Sequence, residues 1–393
     1  MMISSFQNYF SQFPAVLIAG APNCGKSVLS FLLHKHLQKL NIAHYLLRAA
    51  PDGEGDWFLQ SERTDAPEAR RQHKRAYTPE FVAGMRQAVE YRRVPLLVDV
   101  GGLPRGEQFG ILRACTHAIL LYRSDEEKAI WQQTLSELGV PLIAVLRSVR
   151  DETPQIEQTY PLLQGIITGL DRANPQPDLT FGALLERVAG LCRYEEAQLE
   201  QIHLRHTAYP PLLERVLLAR LHPRVVGIWQ PEHLPQLTAL TGLPRPGESF
   251  ALYGRGPVWL AAFLALHALP APVEFFDIRY GWLPLPQVRD DGSLPSLALT
   301  VETMAAAVKL NFVMPPSGLL APGALCLPPL EIPSETTCLI LSGKLPRWAF
   351  GSLARYFAPQ APVLAITDMN KPYAVVVASH NPQQPVGSVV EME

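Results

Sequence analysis

The chain has 393 residues, 48% of them hydrophobic and 18% charged, with a net charge of −2. That length exceeds one ordinary core, so two or three globular domains are expected rather than a disordered chain. The near-neutral balance excludes a global basic field for nucleic acid, and any polyanion site must be local.

The start, MMISSFQNYFSQ, lacks the basic and apolar regions of a secretory signal. From Pro14 the sequence reads PAVLIAGAPNCGKSVLSFLLH. An apolar strand enters Gly20-Ala-Pro-Asn-Cys-Gly-Lys-Ser27, and an apolar-periodic helix follows. This is G-x-x-x-x-G-K-S in its strand–loop–helix context, a phosphate-binding loop. Gly20, Asn23, Cys24 and Gly25 shape a loop whose backbone N–H groups surround a phosphate. Lys26 reaches the outer phosphates, and the Ser27 hydroxyl is a magnesium ligand. The helix start adds its positive dipole end.

Ala43 to Ala50 predicts a second buried strand. The loop after it carries Asp52, Glu54 and Asp56, read either as a solvated turn or as partners of magnesium or of a phosphoryl acceptor. Glu68 to Arg75 is a basic cluster, read as a surface helix or as a lid over phosphates. Thr78 to Arg93 predicts an amphipathic helix with Thr78 as N-cap. Val94 to Gly102, VPLLVDVGG, places Asp99 at the tip of a buried strand, the position that holds magnesium beside a phosphate loop. Gly101-Gly102 resembles a D-x-x-G switch. Strands over 118–122 and 141–146 flank a helix over 125–138, and residues 155–170 predict a last strand. The alternation predicts a doubly wound parallel sheet over residues 1–178. Where guanine specificity would need N-K-x-D, the chain reads Arg147-Ser-Val-Arg-Asp151, so ATP with magnesium is the expected cofactor. One long helix is expected over 181–205, within a linker spanning 179–212 that ends at Tyr209-Pro-Pro211.

Val258 to Leu269, the longest apolar stretch, is too short to span a bilayer and ends at Pro270. Cys24, Cys115, Cys192, Cys326 and Cys338 form no CxxC pair, which excludes a disulfide framework or zinc knuckle and fits a reducing cytoplasm. The second half repeats itself. Gly254-Arg-Gly-Pro-Val-Trp259 matches Gly343-Lys-Leu-Pro-Arg-Trp348, and AlaProValGluPhePheAsp277 matches AlaProValLeuAlaIleThrAsp368, about ninety residues apart. Two small α/β units over 213–293 and 294–393 are expected to pair about a pseudo-two-fold axis, with both Gly-Pro turns facing one groove. Asp277 and Asp368 also read as turn formers, and Trp259 and Trp348 as core.

The string G-R-G-P-x-W-L, then helix, strand and D-x-R, and finally A-V-V-V-x-S-H, resembles the third class of CRISPR ring nucleases, the "Csx three" family. The resemblance covers roughly residues 220 to 393 as two copies, fused to an AAA-type P-loop domain. It implies binding and cleavage of cyclic tetra-adenylate, manganese as the metal, and a homo-oligomer. It assigns Asp277, Arg279, Asp368 and His380 to catalysis, and Arg255, Gly256 and Lys344 to substrate phosphates. Such groups would position a 2′-hydroxyl, steady a pentacoordinate phosphate and protonate the leaving oxygen. The copies depart from the pattern differently. Copy one lacks the terminal Ser-His, and copy two has Asn370 and Lys344 where the family has arginines. The helix histidine of the family has no clear match, with His267 and Arg355 nearest. Two rival readings are a kinase acting on a nucleotide or RNA end, and an assembly protein controlled by ATP and ligand without ring cleavage.

Overall fold

The structure, a computed structural model, describes residues 13–50, 79–101, 104–221, 228–304, 307–314, 320, 322–323, 325–368 and 371–392. The acidic loop with Asp52, Glu54 and Asp56, the basic cluster 68–75, Thr78, Gly102 and Asn370 lie outside the described residues. The chain divides into two compact units, Met1–Ile202 and His203–Glu393.

In the first unit, β1 (Ala15–Gly20) leads through the loop to α1 (Lys26–Lys39) and β2 (Tyr45–Arg48). Then come α2 (Pro79–Glu90), β3 (Leu96–Asp99), α3 (Phe109–Arg113), β4 (His117–Tyr122), α4 (Asp125–Leu138), β5 (Leu142–Ser148), β6 (Gln155–Gln158), β7 (Leu163–Ile167) and α5 (Leu179–Cys192). The sheet order is β2-β3-β1-β4-β5-β7-β6, parallel except for β6. All six residues of β1 are buried, as a strand covered on both faces requires. Val16, Ile18, Leu97, Ile119 and Leu121 join residues of α1 and α5 in one cluster. Leu17, Val98 and Leu120 alternate to the other face, where α4 lies along β1 and β4 and buries Trp131 and Leu135. The connection leaving β1 runs one way along the sheet and those leaving β3 and β4 the other. The loop therefore sits at a reversal of strand order, where open α/β sheets bind ligands.

Two sequence expectations change here. Residues 155–170 hold an antiparallel pair, β6 and β7, rather than one strand. The long helix over 181–205 is two, α5 and α6 (Glu196–Leu204), because Arg193 turns extended at φ −78°, ψ 112°. α5 is no linker: Phe181, Leu184 and Val188 sit in the core against α1, capped at its start by Asp178, which accepts from the Phe181 N–H at 2.7 Å.

In the second unit β8 (Pro211–Leu213) leads to α7 (Glu214–Leu221), α8 (His233–Leu237), β9 (Phe250–Tyr253), α9 (Val258–His267), β10 (Val273–Asp277) and β11 (Gly281–Pro284). After β12 (Val288–Arg289) and β13 (Ala298–Thr303) come β14 (Ala307–Val313), β15 (Leu325–Cys326), β16 (Cys338–Gly343), α10 (Arg347–Phe357), β17 (Val363–Thr367), β18 (Tyr373–Ser379) and β19 (Val389–Glu391). β8, β9 and β10 run parallel and β11 returns antiparallel; β14, β16, β17 and β18 repeat that layout. The duplication seen in the residues is thus a duplication of topology. Copy two adds β13 and β19 at its edges. One cluster runs through both copies: Trp259, Leu260 and Phe263 of α9 with Trp348, Phe350 and Leu353 of α10. Arg355 ties the helices further, donating to the carbonyls of Ala265 and Ala271 at 2.9 Å each. Neither copy buries its helix alone, which is why the two pair.

Candidate functional site

The phosphate loop is built as its sequence requires. Asn23 (φ 64°) and Gly25 (φ 89°) adopt the left-handed conformation that turns the chain into α1. A Cβ at Gly25 would lie 2.8 Å from the Leu170 Cβ, so this position needs glycine on two counts. Lys26 is 7% exposed, where an exposed loop lysine would be expected. Its Nζ donates to the Gly20 carbonyl at 2.8 Å and the Ala21 carbonyl at 2.7 Å, folding the side chain back over the loop. Burial pushes the ammonium's pKa down, opposed by neighbouring Cys24 and Asp99. Cys24 is buried beside it, its Sγ 4.0 Å from Nζ, and burial pushes its thiol up. A structural loop residue accounts for Cys24 without redox chemistry.

Asp99 ends β3, and β3 lies directly beside β1 with Ile18 opposite Asp99. Asp99 is 5% exposed. The Ser27 hydroxyl and the Asp99 carboxylate are hard oxygen donors on neighbouring elements, a set that fits magnesium completed by phosphate oxygens and water. Among the described residues no three His, Cys, Asp or Glu side chains gather as a metal cluster. Sequence reasoning missed Arg123, which follows β4 one strand from the loop and is felt electrostatically by both Cys24 and Lys26. It pairs with Glu127 at 2.7 Å. Its signal was its place directly after a buried strand next to β1. At the position expected for base specificity, Arg147 donates to Glu152 at 2.9 Å.

In the second unit the two tryptophans and two aspartates meet crosswise. Trp259 Nε1 of copy one donates to Asp368 Oδ2 of copy two at 3.2 Å. Trp348 Nε1 of copy two donates to Asp277 Oδ2 of copy one at 3.1 Å. Each helix start therefore abuts the strand ends of the other copy, and both Gly-Pro turns lie at one end of the unit. Arg279 closes on Asp277 through its backbone N–H (2.8 Å), Nε (3.3 Å) and Nη2 (3.3 Å). Arg255 and Lys344 are exposed at the turn tips. Trp259 and Trp348 are each 1% exposed and belong to the core, not to a stacking platform.

Two expected roles do not survive this geometry. His380 is on the wrong end: β18 runs antiparallel to β17, and the His380 N–H donates to the Pro362 carbonyl, before β17 begins. Asp368 lies six residues further along, roughly 20 Å away at strand rise. The Gly256 N–H is already engaged, donating to Glu214 Oε2 at 2.6 Å. The helix histidine has no counterpart either: His267 Nε2 lies 2.8 Å from the Pro244 carbonyl, and Arg355 holds the helices together.

The fold defines an α/β unit that carries the G-x-x-x-x-G-K-S loop, followed by a doubled α/β unit. Residues 316–391 match the family model described as CRISPR-associated protein (Cas_csx3). That match covers most of copy two, from before β15 to the end of β19. No curated protein matches the chain. A solved structure of chloroplast FtsY from Physcomitrella patens is 16% identical with a TM-score of 0.25, over 45% of this chain and 65% of that one. At that score the likeness carries no argument. Among the described residues no helix is long and apolar enough to cross a membrane.

Proposed function

We propose that this protein is an accessory component of CRISPR defence whose tandem unit recognises cyclic tetra-adenylate, while its P-loop unit binds ATP with magnesium. The observation that carries the reading is the crossed Trp–Asp pairing, whose copy-two members, Trp348 and Asp368, lie in the stretch that matches the Cas_csx3 family model. It gathers Arg255, Arg279 and Lys344 with Asp277 and Asp368 at one end of a pseudo-two-fold unit, suited to a ligand of matching symmetry. A ring of phosphates needs such local cations, since the chain's net charge of −2 offers no general attraction. Within one chain the reading is binding with slow or no ring cleavage. The imidazole of His380 and the acids do not converge, and Asp277 and Arg279 are engaged with one another.

A second reading, phosphoryl transfer to a nucleotide or RNA end, draws on the buried Asp99 beside the loop of Lys26. Incubating the full chain with cyclic tetra-adenylate, with and without ATP, magnesium and manganese, separates the readings when all products are analysed. The first expects the ring bound and mostly intact, with ATP turned over only when magnesium is present. Label moving from ATP to RNA or a nucleotide puts the second reading first. Absence of ring binding removes the first.

A further inference from the structure

The two copies carry one charged pair that neither repeats. Glu214 follows β8 directly, and β8 pairs with β9 so that Leu213 faces Tyr253. One residue on, Glu214 therefore faces Gly254 of the first turn. Glu214 is 2% exposed and its carboxylate fills that turn: a Cβ built on Gly254 would lie 2.3 Å from Oε2, and one on Gly256 2.6 Å. Oε2 accepts from the Gly256 N–H. Oε1 accepts from Arg347 of copy two, which also donates to the Gly254 carbonyl at 2.8 Å.

The counterpart positions are apolar. In copy two the residue facing turn glycine Gly343 is Phe312, and in copy one the residue matching Arg347 is Val258. Arg347 is also the first residue of α10, where the helix dipole disfavours a cation unless an anion stands beside it. Glu214 is that anion. Copy one paired with copy one would bury Glu214 against Val258. Copy two paired with copy two would bury Arg347 against Phe312. Each would leave a charge without its partner in a desolvated place, and that is strongly unfavourable.

We infer that the Glu214–Arg347 pair is a pairing code: it makes copy one bind copy two and bars like copies of neighbouring chains from pairing. A buried ion pair is a poor source of stability but an effective means of choosing a partner. The inference stands on the contacts within the second unit and is independent of the ligand proposed above.

The test uses the full chain with Glu214→Gln, Arg347→Met and the two together, which preserve volume and leave the Gln able to accept from the Gly256 N–H. Each single change should lower the second unit's unfolding midpoint by roughly 5–10 °C, and the double change by clearly less than the sum. Additive losses would overturn the pair. The chains are then refolded from denaturant at rising concentration and weighed by light scattering. The double variant should yield additional, concentration-dependent species that the unaltered chain does not form. If it refolds to the same species as the unaltered chain throughout, the pair does not choose partners and the inference fails.

Discussion

Replacing either crossed tryptophan by phenylalanine tests whether the two copies form one two-fold unit. Trp348→Phe keeps an aromatic ring in a site that is 1% exposed but removes the N–H that Asp277 accepts at 3.1 Å. A hydrogen bond to a charged acceptor contributes about 1.5–3 kcal/mol, and this one is near the long end of the normal range. The smaller ring adds a cavity of tens of Å³, or about 1 kcal/mol at ~24 cal/mol per Å³. The sum is about 2–3 kcal/mol, or a fall of about 5–10 °C in the second unit's transition. Trp259→Phe removes the matching 3.2 Å bond to Asp368 and should cost a similar amount. Trp348→Phe should be the milder, because Asp277 keeps its bonds from Arg279. Calorimetry of the full chain, with Trp131→Phe as a control confined to the first unit, resolves the two transitions. If one variant costs about 3 kcal/mol and the other nothing, the crossed bonds are not equivalent and the two-fold reasoning fails.

Lys26→Ala should abolish or strongly weaken ATP binding, measured by titration, with circular dichroism unchanged. Asp99→Asn should spare much of that binding and remove magnesium-dependent turnover in a phosphate-release assay. Arg279→Ala should weaken cyclic tetra-adenylate binding by at least tenfold, because it removes a cation from the turn end and leaves Asp277 unneutralised there. His380→Ala should change neither binding nor product profile, given its place at the far end of β17. His34 is held below its ordinary pKa by burial and then by the charge of Arg48, so its folded form takes up a proton at lower pH than its unfolded form. Its unfolded form protonates first as pH falls through about 6.5. The first unit should therefore lose stability below that pH, and His34→Gln should flatten the slope in urea unfolding at about pH 5.5 against about 7.5.

Much of this was legible in the residues, because the signals were local. The phosphate loop announces itself through Gly20, Gly25 and Lys26, whose roles are set by backbone conformation and neighbours a few residues away. The duplication was legible because each copy marks its turn with Gly and Pro and its core with Trp. What escaped reading were contacts set by distant partners and by strand direction. Glu214 reads as an ordinary helix start, and its partner Arg347 lies 133 residues on. His380 reads as the end of a motif close to Asp368 in sequence. The antiparallel return of β18 carries it to the opposite end of the sheet. The break between α5 and α6 falls at Arg193-Tyr194-Glu195, without the Gly or Pro that would mark it.

The proposed recognition of a ring of four adenylates by the tandem unit can be isolated from the phosphate loop. Titrating the Lys26→Ala full chain with cyclic tetra-adenylate, linear tetra-adenylate and ATP, by calorimetry at fixed salt, tests it without interference from the phosphate loop. Tight, saturable binding of the ring, at least tenfold stronger than of the linear oligomer and with ATP bound weakly or not at all, is the expected result. Equal affinity for all three, or no binding of the ring, would contradict recognition of the ring by the tandem unit.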